Sequence, residues 1–248
     1  MSTYFRSAAV VFLASAAGSA AGQFDSFVVE ERVFNDFAGS TLNVTNDFPN
    51  ELTFSESDFG SGNFANRHMA YLSDDGGATA FDFDYDDGLD FSVTMNLDAS
   101  PVDGREAGIV TDLFGFGFFG ALPNGEIAAF GSFLPFHSFG VGVYTNGTDV
   151  DLRMIYTPGA GEGLLPASTI EYIIDTGSGP ISSGVKVFDN LEGGIPTDFN
   201  ARIGLGAQFQ GNPGGSATAT FTNIVAIPAP ATAATAMLGL AAMGRRRR

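Results

Sequence analysis

Five aspartates fall between residues 82 and 90, as Asp82-x-Asp84-x-Asp86-Asp87-Gly88-x-Asp90, a dense set of oxygen donors. Carboxylates so spaced suit a hard cation, since calcium takes about 6 to 8 oxygen ligands from carboxylates, carbonyls and water. Phe81, Phe83 and Tyr85, then Leu89, Phe91, Val93, Met95 and Leu97, alternate with polar residues and mark a strand pair with one buried face. A three-residue turn, Asp86-Asp87-Gly88, pairs Tyr85 with Leu89, Phe83 with Phe91 and Phe81 with Val93. In that register Asp84 stands opposite Asp90 and Asp82 opposite Ser92. Like charges placed so destabilise a strand pair by up to ~1 kcal/mol. A calcium ion held by Asp82, Asp84, Asp86 and Asp90 would reverse that sign. The competing reading is a solvated acidic face that discourages edge-to-edge strand pairing.

Other chemistry is sparser. Gly115-Phe116-Gly117-Phe118-Phe119-Gly120 has the spacing of a dinucleotide-binding turn, which must open a helix. Ala121-Leu122-Pro123-Asn124-Gly125 follows instead, a hairpin turn, so the stretch reads as a Phe-lined strand. His68 and His137 are the two histidines, too far apart in sequence for a zinc signature. His137, within Phe133-Leu134-Pro135-Phe136-His137-Ser138-Phe139, reads as a packed loop histidine. No serine sits in a nucleophile elbow, and the absence of cysteine excludes disulfides, thiolate metal sites and a cysteine nucleophile. Glycoside hydrolysis needs only two carboxylates across a cleft. Glu171 and Asp175 are the nearest acidic pair on one expected strand. With no tryptophan, sugar stacking would fall to Tyr71, Tyr144, Tyr156 and Tyr172. No catalytic residue is assigned.

The elements that must position these groups are strands. The chain holds 33 Gly and 25 Phe but one lysine, Lys186, a composition that favours strands and turns over helices. Apolar alternation and turn residues predict strands near 27–33, 41–45, 51–55, 81–85, 89–98, 116–122, 126–133, 141–144, 150–156, 169–174, 185–188, 201–209 and 216–227. Asn124-Gly125 and Asn146-Gly147 predict type I′ hairpin turns. In the last strand Thr218, Thr220 and Thr222 line one face, Ala217, Ala219 and Phe221 the other. The expected architecture is all-β, a two-sheet antiparallel sandwich, most simply a jelly roll.

The run Gly104-Arg105-Glu106-Ala107-Gly108-Ile109-Val110 and the closing Gly215-Ser216-Ala217-Thr218-Ala219-Thr220-Phe221-Thr222-Asn223-Ile224 resemble the concanavalin-like lectin and glucanase sandwiches. The Glu-x-Asp-x-x-Glu strand of the laminarinase-type members is absent.

Both termini read as addresses. Residues 1–22 place Arg6 before an apolar stretch and a small-residue run from Gly18 to Gly22, the pattern of a secretory signal peptide. Residues 227–248 run Ile227-Pro228-Ala229-Pro230, a mildly apolar segment, then Arg245-Arg246-Arg247-Arg248. As a helix that apolar segment spans roughly 21 Å, short of the ~30 Å hydrocarbon core, and the arginines favour the cytoplasmic side. The tail resembles PEP-CTERM sorting segments, with Ala229 where the usual glutamate stands. That resemblance implies an exosortase-like transpeptidase as partner, transient inner-membrane contact through Pro228, Pro230, Arg245, Arg246, Arg247 and Arg248, and delivery to a bacterial cell surface or extracellular matrix.

Between them, residues 23–226 form one domain of roughly 205 residues, enough for one core. It holds all 28 acidic residues but only six of the 11 basic ones, so its net charge is −22 against −17 for the whole chain. That charge excludes a nucleic-acid or anionic-lipid footprint and leaves cations and neutral polymers as company. Three functions fit: an exported non-catalytic surface or matrix protein among extracellular polysaccharide, a lectin-like carbohydrate module assisted by calcium, or a glycan-active hydrolase. A concave sheet face with exposed aromatics and paired carboxylates favours the second; a flat acidic face favours the first.

Overall fold

The computed structural model describes residues 24–62, 64–84, 87–100, 104–112, 117–131, 134–159, 168–188 and 202–229. Asp86, Pro230, the four terminal arginines and the signal segment therefore lie outside the described residues. Among the described residues fifteen strands are present: β1 (Ser26–Asn35), β2 (Thr41–Asp47), β3 (Glu51–Ser57), β4 (Asn66–Ser73), β5 (Gly88–Ser100), β6 (Arg105–Thr111), β7 (Gly117–Ala121), β8 (Ile127–Gly131), β9 (His137–Gly140), β10 (Asp149–Thr157), β11 (Thr169–Asp175), β12 (Ile181–Ser182), β13 (Lys186–Val187), β14 (Ile203–Phe209) and β15 (Ser216–Ala229). They form a seven-stranded sheet, β1-β4-β14-β6-β7-β8-β9, and an eight-stranded sheet, β12-β11-β10-β5-β15-β3-β2, with β13 also on β11. Every pairing among these strands is antiparallel. This is the expected all-β, two-sheet sandwich.

Period-two alternation builds the core. Leu89, Phe91, Val93, Met95 and Leu97 of β5 point inward, as do Leu152, Met154 and Tyr156 of β10 and Ile170, Tyr172 and Ile174 of β11. From the other sheet Ala70, Leu72, Ile109, Phe119, Leu205 and Phe209 meet them. Strand β14 lies between β4 and β6, and β15 between β5 and β3, so each sheet closes around a strand from the C-terminal quarter of the chain. The faces of β15 divide as read: Ala217, Ala219 and Phe221 are buried, whereas Thr218, Thr220 and Thr222 are only partly covered.

Three local expectations are corrected. The hairpin 81–98 does not form, because β5 is flanked on both sides by β10 and β15; Asp90 faces Ile155 and Ile227, not Asp84. The alternation was sound, since Phe83 and Phe91 are both buried, but residues 80–84 turn toward β4, where the Phe81 amide donates to the Leu72 carbonyl at 2.7 Å. Asn124-Gly125 does join a hairpin, β7–β8, though not through a two-residue turn. The Leu122 amide donates to the Glu126 carbonyl, and Gly125 alone takes positive φ (72°) in a three-residue loop. Asn146-Gly147 joins no hairpin, because residues 141–144 form no strand and the chain there crosses from β9 in one sheet to β10 in the other. At the C-terminus β15 runs through Ala229, so Ile227 and Pro228 belong to the sheet, Pro228 beside Leu89.

Candidate functional site

The strongest polar cluster is buried. Glu56 shares the inward parity of Leu52 and Phe54 on β3, and it reaches β4 of the opposite sheet. Its Oε1 accepts from the Ser40 hydroxyl at 2.5 Å and the Asn66 amide at 2.6 Å; the Arg32 guanidinium lies 3.3 Å away. Its Oε2 meets His68 Nε2 at 3.1 Å. The Arg32 backbone amide donates to His68 Nδ1 at 3.2 Å, so the ring's proton sits on Nε2 and His68 is a neutral donor to Glu56. Arg32 takes φ of 55° in the bulge between Glu30 and Phe34, and that bend brings its amide to the imidazole. Burial pushes the Glu56 carboxyl up, but hydrogen bonds from His68, Ser40 and Asn66 outweigh it and hold the group below its ordinary value. Glu56, His68 and Asn66 are each 0% exposed. The cluster is a clasp between sheets, closed to substrate.

Of the four aspartates singled out by spacing, Asp82, Asp84 and Asp90 are described, and Asp90 has a partner of its own. Asp82 and Asp84 are exposed, and the Asp84 amide donates to the Asp87 carboxylate at 2.8 Å, closing a local turn. Asp90 sits on the outer face of β5, where Arg153 grips it through two hydrogen bonds of 2.7 and 2.5 Å. Among the described residues no three ligating side chains gather as a metal site. Glu171 and Asp175 share the outer face of β11 but are four residues apart, about 13 Å along a strand. Glycosidase carboxylates stand roughly 5 to 9.5 Å apart. The four candidate stacking tyrosines are buried: Tyr71 at 1%, Tyr144 at 7%, Tyr156 at 1% and Tyr172 at 0% exposure. His137 lies edge-on to Phe139 at 4.5 Å, and burial, with Lys186 nearby, pushes its imidazole down. Both histidines are thus packed side chains.

The outer face of the seven-stranded sheet is partly apolar, with Met69, Tyr71, Val110 and Phe118 buried in a second cluster. At one end of it Arg67, Gln208 and Glu106 stand side by side on β4, β14 and β6; Arg67 donates twice to the Gln208 carbonyl oxygen. Burial raises the Glu106 carboxyl despite Arg67. Between these residues remains only about 10 Å³ of space, too little for a ligand.

The outer face of the eight-stranded sheet is different in kind. Hydroxyls, amides and carboxylates alternate across it: Thr53 donates to Thr220 at 3.2 Å, Ser55 meets Thr218 at 2.9 Å, and Asn96 donates to Asp149 at 2.8 Å. A trough of about 440 Å³ crosses this face, floored by β5, β10, β11 and β15. One row across it is Val225–Ser92–Arg153–Ile173, the next Thr222–Thr94–Asp151–Asp175. Asn223 enters between the rows because β15 bulges there, at a φ of 52°. Its amide donates to the Thr94 hydroxyl at 3.1 Å, which donates in turn to Asp151 at 2.5 Å. Asp175 accepts from the Gly177 and Gly179 amides at 2.7 and 3.0 Å. Among the described residues no aromatic side chain lines the trough.

Sequence reasoning missed both constellations. Glu56 was findable as a charged residue on an apolar parity; the bulge at Asn223 left no signal, since Thr222-Asn223-Ile224 continues a strand pattern.

The fold and this face define a jelly-roll-type β-sandwich. No family model and no curated protein matches the chain. Among solved structures it is similar to a family 7 alginate lyase, a doubly substituted A1-II′ in complex with substrate, at 12% identity and a TM-score of 0.47 over 75% of this chain and 81% of that one. An alginate lyase from Klebsiella pneumoniae gives 10% identity and 0.44 over 75% and 84%. The lectin-like defense protein arcelin-5 from Phaseolus vulgaris gives 10% and 0.38 over 83% and 100%. No residue assignment passes from these proteins to this chain.

Proposed function

We propose that the protein is an exported, non-catalytic β-sandwich retained among extracellular polysaccharide at a bacterial surface. The observation that carries this reading is the outer face of the eight-stranded sheet, an open grid of hydroxyls, amides and carboxylates without an aromatic platform among the described residues. Such a face stays hydrated and pairs with neutral polyhydroxylated polymer through many weak, water-exchangeable hydrogen bonds. The body's charge of −22 favours neutral partners over anionic ones. Delivery is assigned to the two termini, with the Pro228-Ala229-Pro230 segment and Arg245, Arg246, Arg247 and Arg248 as the sorting signal read by an exosortase-like enzyme.

The test is sedimentation of the purified full-length chain with insoluble neutral and uronate polysaccharides, with reducing ends and unsaturated products measured in the supernatant. Association with neutral polymer and no product formation is expected. Product formation from any polymer would replace this reading with a glycan-active enzyme. Fractionation of cells with and without the four arginines tests delivery; an unchanged location overturns the sorting assignment.

A further inference from the structure

We infer that the trough at the Asn223 bulge is a binding site for an internal segment of a neutral polysaccharide chain. The inference rests on the reading of the protein as polysaccharide-associated and gives it a location and a ligand class.

The trough is open and runs across four strands of the sheet, with about 440 Å³ of space. Such a channel accepts the middle of a polymer, whereas a small metabolite needs an enclosing pocket. Cross-strand neighbours stand about 4.8 Å apart and same-face residues along a strand about 6.8 Å, so polar groups recur at the scale of one sugar ring.

The lining also holds unused hydrogen-bonding capacity, most of it on side chains already fixed. Thr94 is held between Asn223 and Asp151, Asp175 by two backbone amides, and Arg153 by Asp90. Among the described residues Ser92 Oγ, Asn223 Oδ1, Asp151 Oδ2 and Asp175 Oδ2 make no hydrogen bond. A carboxylate oxygen and an amide oxygen accept from sugar hydroxyls, and a serine hydroxyl donates or accepts. Because Asn223, Thr94, Asp151 and Asp175 are already held, little of their rotamer freedom is lost on binding. Val225 and Ile173 add small apolar patches, suited to the C–H face of a ring.

Charge selects the class. Among the described residues the one cation in the trough, Arg153, is paired with Asp90, while Asp151 and Asp175 sit directly opposite each other. A uronate or sulfated chain would meet uncompensated carboxylates; a neutral chain meets acceptors. The bulge supplies the remaining element, since it places the Asn223 side chain between the two rows at a φ of 52°, a conformation asparagine tolerates.

The experiment is calorimetric titration of the full-length chain with soluble neutral oligosaccharides (glucan, mannan and galactan series) and an alginate oligosaccharide. The variants are Asn223→Gly, Asp151→Asn and Asn43→Ala. Glycine suits the positive φ, so Asn223→Gly removes the amide while leaving the bulge relaxed, and its melting temperature stays level or rises. Wild type is expected to bind one neutral series. Asn223→Gly and Asp151→Asn are expected to weaken that binding at least tenfold, and Asn43→Ala, on the same face but far along it on β2, leaves it unchanged. Equal binding by all three variants overturns the trough assignment and leaves polysaccharide association standing. Preference for alginate overturns the ligand class. A wild type that binds no polysaccharide, in solution or by sedimentation, overturns the reading on which the inference rests.

Discussion

Replacing Glu56 by glutamine changes one buried atom from acceptor to donor, and the structure allows its cost to be worked out. If the new amide nitrogen takes the Oε2 position, it faces the Nε2–H of His68, whose other nitrogen is already occupied by the Arg32 amide. The ring has no tautomer that satisfies both. If the amide flips, its nitrogen faces the Asn66 amide, a second donor, while the Ser40 hydroxyl can turn its one proton to the Phe37 carbonyl at 2.6 Å and accept. Either way one buried donor is left unmet, at about 1–3 kcal/mol, and one or two charge-assisted hydrogen bonds are weakened. The total is about 3–4 kcal/mol. For a domain of this size each kcal/mol shifts Tm by roughly 2–4 °C, so Glu56→Gln should melt roughly 10 °C lower. The pH dependence has a definite sign. A carboxylate whose folded pKa is depressed contributes stability above its unfolded value near ~4.3, and that contribution is lost as pH falls through the lower folded value. The deficit of Glu56→Gln should therefore be full at pH 7 and shrink below about pH 4. Urea unfolding at both pH values, with Glu51→Gln on the sheet's outer face as a control near zero, measures it. A deficit under about 1 kcal/mol at pH 7, or one independent of pH, would refute the clasp.

Glu106 predicts the opposite sign: burial raises its folded pKa, so its ionisation opposes folding as pH rises, and Glu106→Gln should stabilise at pH 7 and do little at pH 4 in the same urea assay. Gly108→Ala should destabilise by about 1–3 kcal/mol, because a Cβ there would lie 2.3 Å from the Phe119 carbonyl oxygen and 2.5 Å from Gly120 Cα across the β6–β7 pair. Calcium should leave Tm unchanged against chelator, since Arg153 holds Asp90; a rise that Asp84→Asn abolishes would restore a cation site in that loop. Deleting β15 should abolish cooperative thermal unfolding, because that strand joins β3 to β5.

Much of the sandwich was legible because burial alternates with period two wherever one sheet face meets the core. Strands β1, β2, β3, β10, β11, β14 and β15 fall where alternation placed them. What failed was partner choice. Residues 81–85 and 89–98 are adjacent in sequence and match in parity, which favours a local hairpin, yet β10 and β15 take both edges of β5. Strand β4 escaped detection because Asn66–Ser73 is covered on nearly its whole length and shows little alternation, apolar parity on its inner side being broken by Asn66 and His68. The tyrosines were sensible sugar platforms by type, but each hydroxyl has an internal partner, such as Leu97 for Tyr144 and the Pro135 carbonyl for Tyr172. A long-range pairing decides the trough as well, since Asn223 and Thr94 are 129 residues apart.

Sedimentation with polysaccharide, scored for both retention and cleavage, bears most directly on the central claim that the outer face of the eight-stranded sheet associates with neutral glycan without catalysis. The full-length chain should move into the pellet with insoluble neutral polymer, remain in solution with a uronan, and release no reducing ends or unsaturated products from either. Retention on the uronan, or any time-dependent release of product, would contradict it.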